Sequence, residues 1–284
     1  MPLTSLARRP GLRVGLLLTP PMLWLGVAYL GALGALLITA VWTQNDFTGQ
    51  VERIWTLENF RTLLTVDVYR TITLRTIGVA ALVTVVDALL AFPIALYMAK
   101  VASPRAQRLL VIAVLMPLWA SYLVKAYAWR GMFATGGPIS WLASPFGLDT
   151  PGYGLAATTV TLAYLWLPYM ILPLYAGLER VPDSLLEASS DLGAGFGTTL
   201  RRVLAPMVFP AFVAGSIFTF SLSMGDYIAV RIVGGTSQLL GNVVYDNSGA
   251  ANNLPLAAAV ATVPIVVMLA YLAAARRTGA LEHL

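Results

Sequence analysis

Six apolar runs, each near or above the ~20 residues that a helix needs to cross a hydrocarbon layer, limit how this chain can fold. The first follows a basic stretch ending at Arg13 and reaches about residue 41. The others cover about residues 71–99, 109–133, 153–178, 207–228 and 256–275. Inside a bilayer no water satisfies backbone N–H and C=O groups, so runs of this length must become helices. The expected fold is an all-α membrane protein of six transmembrane helices, a single domain over residues 1–284. Composition agrees: 58% hydrophobic and 11% charged residues leave too little polar surface for a soluble domain of this size. The first run is not a secretion signal by this reading. Its core exceeds the ~7–15 residues of a signal's apolar region, and Ile38-Thr39-Ala40 is a poor cleavage site.

The net charge of +5 is compatible with nucleic-acid binding, but the arginines lie in short clusters between apolar runs, as in the cytoplasmic loops of membrane proteins. With the N-terminus inside, Arg8, Arg9, Arg13, Lys100, Arg105, Arg108, Arg180, Arg201, Arg202, Arg276 and Arg277 fall on the cytoplasmic side. Arg53, Arg61 and Arg231 fall outside, and Arg70, Arg75, Lys125 and Arg130 in outer helix ends, where long side chains snorkel. Both termini are expected in the cytoplasm. Pro93, Pro117, Pro168, Pro173, Pro210 and Pro264 sit within the runs and predict bent helices. Cysteine is absent, the one histidine is His283, and no Gly-x-Ser-x-Gly or His-Glu-x-x-His occurs. The glycine-rich Gly193-Ala-Gly195-Phe-Gly197 lacks the lysine of a P-loop. These residues predict no catalytic, cofactor or metal site on this chain.

Between the fourth and fifth runs lies a polar island, residues 181–206. Pro182 suits a first helical turn, Asp183 complements the helix dipole there, and Gly193 suits a C-terminal cap, so a helix of about three turns is expected at about 182–193. Glu179, Asp183, Glu187 and Asp191 recur every four residues, while Leu185, Ala188 and Leu192 fall on another face. Such a helix is amphipathic but too short to span, which predicts a docking element. Glu187-Ala188-Ser189, three residues, Gly193, nine residues, Val203 and then Leu204-Ala205-Pro206 resembles the EAA loop of ABC importer permeases, with Ser189, Val203 and Ala205 as small departures. In that family the loop is the coupling helix seated on the ATPase, which implies coupling roles for Asp183, Leu185, Glu187, Ala188, Ser189, Asp191 and Gly193.

The resemblance extends over most of the chain. Pro117-Leu-Trp119-Ala-Ser121-Tyr122, Lys125, Tyr127 and Trp129 in the third run, and Trp166-Leu-Pro168-Tyr169, Pro173, Tyr175 and Glu179-Arg180-Val-Pro182 in the fourth, look like the first permease of spermidine/putrescine-type importers. So do Gly225-Asp226-Tyr227, Gly234-Gly235 and Gly241-Asn242, whereas residues 43–67 carry no discriminating feature. The resemblance implies a permease of the bacterial inner membrane forming half of the path for a small organic solute, a polyamine or another such solute. It also implies a second homologous permease, two ATPase copies holding ATP and Mg, and an external substrate-binding protein. An ATP-independent secondary transporter predicts inverted repeats, which are not evident, and leaves the island unexplained.

Two acids lie in apolar surroundings, where an ionised carboxylate costs a few kcal/mol, so each requires a cavity or a partner. Asp226, with Tyr227, Tyr122, Trp129 and Trp166, could bind an ammonium group, each cation–π contact contributing ~0.5–2 kcal/mol. Alternatively it pairs with Lys125 or Arg130 while the aromatics form an interfacial belt. Asp87 either faces the path or makes a hydrogen bond or ion pair, with Arg75 or Lys100 as the available cations.

Overall fold

The computed structural model describes residues 10–45, 47–147 and 151–277. Arg8, Arg9 and His283 lie outside them. The first span, Leu17–Thr39, combines α1 (Pro10–Trp24), a π-helical turn (Leu25–Leu30) and α2 (Gly31–Thr39). A two-residue hairpin, β1 (Thr43–Gln44) antiparallel to β2 (Val51–Glu52), and α3 (Glu58–Thr65) lead into α4 (Asp67–Leu96). A π-helical turn (Tyr97–Val101) extends α4 into one span, Asp67–Val101. Next come α5 (Pro104–Trp119), α6 (Tyr122–Phe133), α7 (Pro138–Ala143) and the fourth span, α8 (Leu155–Glu179). The polar island forms α9 (Asp183–Asp191) and α10 (Phe196–Thr199), and a π-helical turn (Leu200–Leu204) joins α10 to α11 (Ala205–Gly225). Two short helices, α12 (Ile228–Val233) and α13 (Leu240–Ser248), precede the last span, α14 (Leu254–Arg277).

Among the described residues five helices are long and apolar enough to cross a membrane, and a bent pair supplies the sixth. That pair lies in the third run, expected over 109–133 and expected to bend at Pro117: α5 and α6 meet at 93°, so the run is two helices and not one kinked helix. Ala120 and Ser121 are extended (ψ 140° and 135°). Pro117 removes one ladder bond just before the break, and Lys125 and Arg130 favour a place for α6 near the headgroups over one in the hydrocarbon. Pro93, Pro168, Pro173, Pro210 and Pro264 all sit inside continuous helices. Pro206 has a local effect of another kind: without an N–H to bond Arg202's carbonyl, the ladder widens into the π-helical turn just before it. The fifth span ends at Gly225, three residues earlier than expected.

Helices α4, α8 and α11 form the centre. Ala91 and Ala95 of α4 and Met98 of the π-helical turn after it pack with Met170, Ile171, Leu174 and Leu178 of α8 and with Val208 of α11. Small residues set the closeness of α8 and α11: a Cβ at Gly177 would lie 2.5 Å from the Ala211 Cβ, and one at Gly215 would lie 2.7 Å from the Met170 sulfur. Membrane helices have no hydrophobic drive to associate, so backbone proximity of this kind supplies the packing energy. At its other side α11 joins α14 through Phe220, Met224, Ala259 and Val260. The first span, by contrast, has no buried residue in its most apolar stretch and faces outward. The uninformative stretch at 43–67 is tied down by side-chain amides: Asn59 donates to the carbonyls of Ala40 and Trp42, and Gln44 to that of Asn252.

Overpacking a filled contact costs ~1–3 kcal/mol. Gly177→Val should therefore lower the thermal midpoint and yield of detergent-purified protein, while Gly78→Ala, where an added Cβ meets nothing within 4 Å, should leave both unchanged. Equal behaviour of the two variants would contradict the packing described.

Candidate functional site

The polar island folds as a helix held out from the bundle. Pro182 is extended (φ −64°, ψ 134°) and precedes α9 instead of occupying its first turn, which begins at Asp183. Gly193 follows with φ +75°, the left-handed conformation that glycine adopts without steric cost. Glu179 does not join the acidic series of α9. It closes α8 and accepts hydrogen bonds from Gln107 and Tyr175. Towards the bundle, α9 turns Leu186, which packs in the central cluster, and Ser189, whose hydroxyl lies 2.8 Å from that of Thr199. Asp183, Leu185, Glu187, Ala188, Asp191 and Leu192 are exposed, Leu192 by 87%. The outward face thus mixes carboxylates with apolar side chains, and Phe196 beside it is 68% exposed.

A second site arises where spans end. After Gly225 the chain runs extended through Asp226 (φ −72°, ψ 130°) before α12 begins. Asp226 is 8% exposed; its Oδ1 accepts from the Ala229 N–H at 2.9 Å, as an N-cap does, and its Oδ2 accepts from the Tyr122 hydroxyl. Tyr122 can reach it because the break before α6 places this residue at a helix start. Tyr122, Trp166, Ser221, Gly225, Asp226 and Tyr227 line one cavity of about 280 Å³. The Tyr122 and Trp166 rings lie 6.0 Å apart, and the indole N–H of Trp166 is buried with no hydrogen-bond partner among the described residues. Tyr227 stacks on Tyr245 at 4.9 Å, and the Arg231 guanidinium lies over the Tyr245 ring at 4.5 Å. A Cβ at Gly241 would lie 2.8 Å from the Asp226 carbonyl oxygen, so α13 seats directly against the break.

Of the residues singled out from sequence, the cavity brings together Asp226, Tyr227, Tyr122 and Trp166. Trp129 is not among the residues lining it. It shares a helix face with Tyr122 but sits two turns, about 10.5 Å, along the axis, where it packs on Phe133 and Tyr164. Asp87 does not line the cavity either: it is fully buried in α4 and neither carboxylate oxygen has a partner among the described residues. Arg75 and Lys100 lie about 18–20 Å away along the helix, so neither serves it. The ion pairs considered for Asp226 are also absent; Arg130 donates to the Ile232 carbonyl and lies over Tyr153. Sequence reasoning missed Ser221, Tyr245, Arg231 and Gln107, whose proximity depends on long-range packing, and it gave Lys100 no role at α9. The Lys100 ammonium donates to the Val181 carbonyl at 2.6 Å and to Asp183 Oδ1 at 2.7 Å.

Apolar spans arranged around α4, α8 and α11, with a short polar helix standing out between the fourth and fifth, define a polytopic α-helical transport subunit. The chain belongs to the family described as binding-protein-dependent transport system inner membrane component, whose family model matches residues 10–278. It is thus an inner-membrane permease subunit of a type I ABC importer, a family in which ATP hydrolysis resides on a separate subunit. It is 43% identical over 290 residues to the inner membrane ABC transporter permease protein YdcU of Escherichia coli (strain K12), covering 97% of this chain and 92% of that protein. Similarity to the spermidine/putrescine transport system permease protein PotB of the same organism is 30% over 214 residues, 72% of this chain and 76% of that one. A solved bacterial ABC transporter involved in the import of the acidic polysaccharide alginate shares the fold, with a TM-score of 0.67 at 15% identity over 96% of this chain and 98% of that one.

The capping geometry makes a stability prediction. Asp226→Ala loses the acceptor for Ala229 and should cost ~0.5–2 kcal/mol, read as a lower thermal midpoint of the purified protein. Asp226→Asn keeps the cap and should not lower it comparably. Adding Lys125→Met or Arg130→Met should rescue neither; rescue would restore the ion-pair reading.

Proposed function

We propose that this permease forms half of the path for a small organic cation of the polyamine class, such as spermidine or putrescine. The observation that carries the proposal is the cavity that sets the Asp226 carboxylate among Tyr122, Trp166 and Tyr227. The Asp226 carboxylate is met by hydroxyl and backbone N–H donors and by no cationic side chain among the described residues, and aromatic faces attract ammonium groups most strongly where water is excluded. The name of PotB supports the same class. The name of YdcU specifies no solute, so a different small organic solute is the second reading.

In this proposal α9 is the coupling helix and its occupant is the ATPase subunit. The exposed Leu185 and Leu192, flanked by Glu187 and Asp191, form an apolar patch with an acidic rim, suited to a groove in a soluble partner. Both termini and α9 lie in the cytoplasm, following the arginine distribution. A second homologous permease completes the path, two ATPase copies bind ATP and Mg, and an external binding protein delivers the solute. Closure of the ATPase pair displaces α9, and the bundle rocks between inward- and outward-open forms.

Two measurements in the reconstituted complex check this. Gly193→Asp places a side chain at φ +75°, and Ala188→Trp fills the exposed face; each should abolish ATP-driven uptake while the chain still inserts and assembles. Uptake at the parent rate would remove α9 from coupling. Asp226→Asn should reduce uptake of labelled putrescine at least tenfold, with basal ATP hydrolysis retained. Unchanged putrescine uptake in that variant would exclude Asp226 from the path.

A further inference from the structure

A helix of nine residues is too short to be stable by itself, so what its displacement can move depends on how its ends are tied. Covalent connection leads from α9 back to α8 through residues 180–182 and forward to α11 through α10. At the forward end the Ser189–Thr199 hydroxyl contact reinforces the covalent link. At the other end the tie is to a third span. Lys100 lies in the π-helical turn that closes the second span, and its side chain is only 11% exposed. Its two hydrogen bonds reach the carbonyl of Val181, a residue 2% exposed, and the carboxylate of Asp183, the first residue of α9.

This contact contributes geometry more than stability. Asp183 is 77% exposed, and ion pairs at such sites typically contribute ~0–1 kcal/mol. The bond to the Val181 carbonyl is different, because without Lys100 that part-buried acceptor loses its partner in the chain. Together they hold the start of α9 to the end of the second span.

From Lys100 the span runs back as a single continuous helix to Asp67. Twenty-four residues away, about 36 Å along the axis at 1.5 Å per residue, Thr76 is fully buried and its hydroxyl oxygen accepts the N–H of Leu240 at 3.0 Å. Leu240 begins α13, and the next residue is Gly241, whose backbone abuts the Asp226 carbonyl. One continuous rod therefore touches the docking helix at one end and the helix seated on the cavity at the other.

We propose that Lys100 and Thr76 are positioning residues for coupling: Lys100 passes displacement of α9 to α4, and Thr76 passes it to α13 and the cavity. This rests on the reading of α9 as the ATPase docking helix. The chain has no cysteine, so Ser221→Cys, on the cavity wall, gives this chain a single thiol whose labelling, followed on the separated permease band, reports the cavity's state without requiring the transported solute. In proteoliposomes holding the whole importer, ATP with vanadate should change the labelling rate at Ser221→Cys about fivefold or more, the lower end of ordinary coupling between sites. Adding Lys100→Met or Thr76→Val should abolish that change while assembly and ATP hydrolysis continue. Lys100→Arg and Thr76→Ser, which keep the donor and the acceptor, should preserve it.

A full ATP-dependent change in both Lys100→Met and Thr76→Val overturns the proposal. So does a lower assembled yield with the change intact, because that marks the contacts as merely structural. The docking reading fails separately: if Gly193→Asp keeps both uptake and the reporter response, α9 is not the docking helix. If Gly193→Asp loses both while the Lys100 and Thr76 variants retain the response, docking stands and only the rod is wrong.

Discussion

In hydrocarbon every backbone N–H and C=O must find its partner within the protein, and the rest of this structure depends on how that demand is met. Long helices meet it without help over most of the chain. Where helices stop, side chains take over. Asp226 accepts the Ala229 N–H, Thr76 accepts the Leu240 N–H, and Asn242 both accepts the Leu239 N–H and donates to the Tyr227 carbonyl. These substitutes permit two interruptions, at residues 120–121 and 226–227, to face one another. The cavity lies between them, so its polar groups are in part those that the interruptions require. A carboxylate that caps α12 and also lines a cavity couples local stability to recognition: removing it costs the cap as well as the charge.

Close approach of α8 and α11 through Gly177 and Gly215 gives the bundle a centre that resists sliding. Around this centre the second span ties to the start of α9 through Lys100, in the π-helical turn that closes it, while the first span lies outside with its apolar surface uncovered. Motion at α9 thus has three routes into the bundle: back through α8, forward through α10 and α11, and across through Lys100.

Much of this was legible in the residues. Run lengths located the spans, and the proline, acid and glycine of the polar island located α9 to within two residues, because helix ends are set by local backbone chemistry. Gly193 adopts the positive φ expected of it. Pro117 made a bend in the third span legible, but not its size of 93°: averaged over 109–133 the stretch is apolar throughout, and only Lys125 and Arg130 hint that its second half differs. Partners were the least visible part. Asp226 was matched with cations nearby in depth, whereas its partners are a hydroxyl 104 residues away and backbone N–H groups at the start of the helix that follows it. For Asp87, helix rise alone rules out the cations considered for it, and Lys100 serves Asp183 instead. The aromatic cluster came through in part because Tyr122, Trp166 and Tyr227 sit at helix starts or face the interior, while Trp129 found Tyr164 first.

In the proposed complex the ATPase subunit covers the outward face of α9 on the cytoplasmic side. The absence of cysteine makes this directly measurable. A single Leu192→Cys, at an 87% exposed position, should react quickly with a membrane-impermeant maleimide added to inverted membrane vesicles holding the permease alone. Co-assembly with the ATPase subunit should protect it strongly, and a short bifunctional thiol reagent should join it to that subunit. Labelling from the outside of intact cells, or equal labelling with and without the ATPase subunit, would contradict the account.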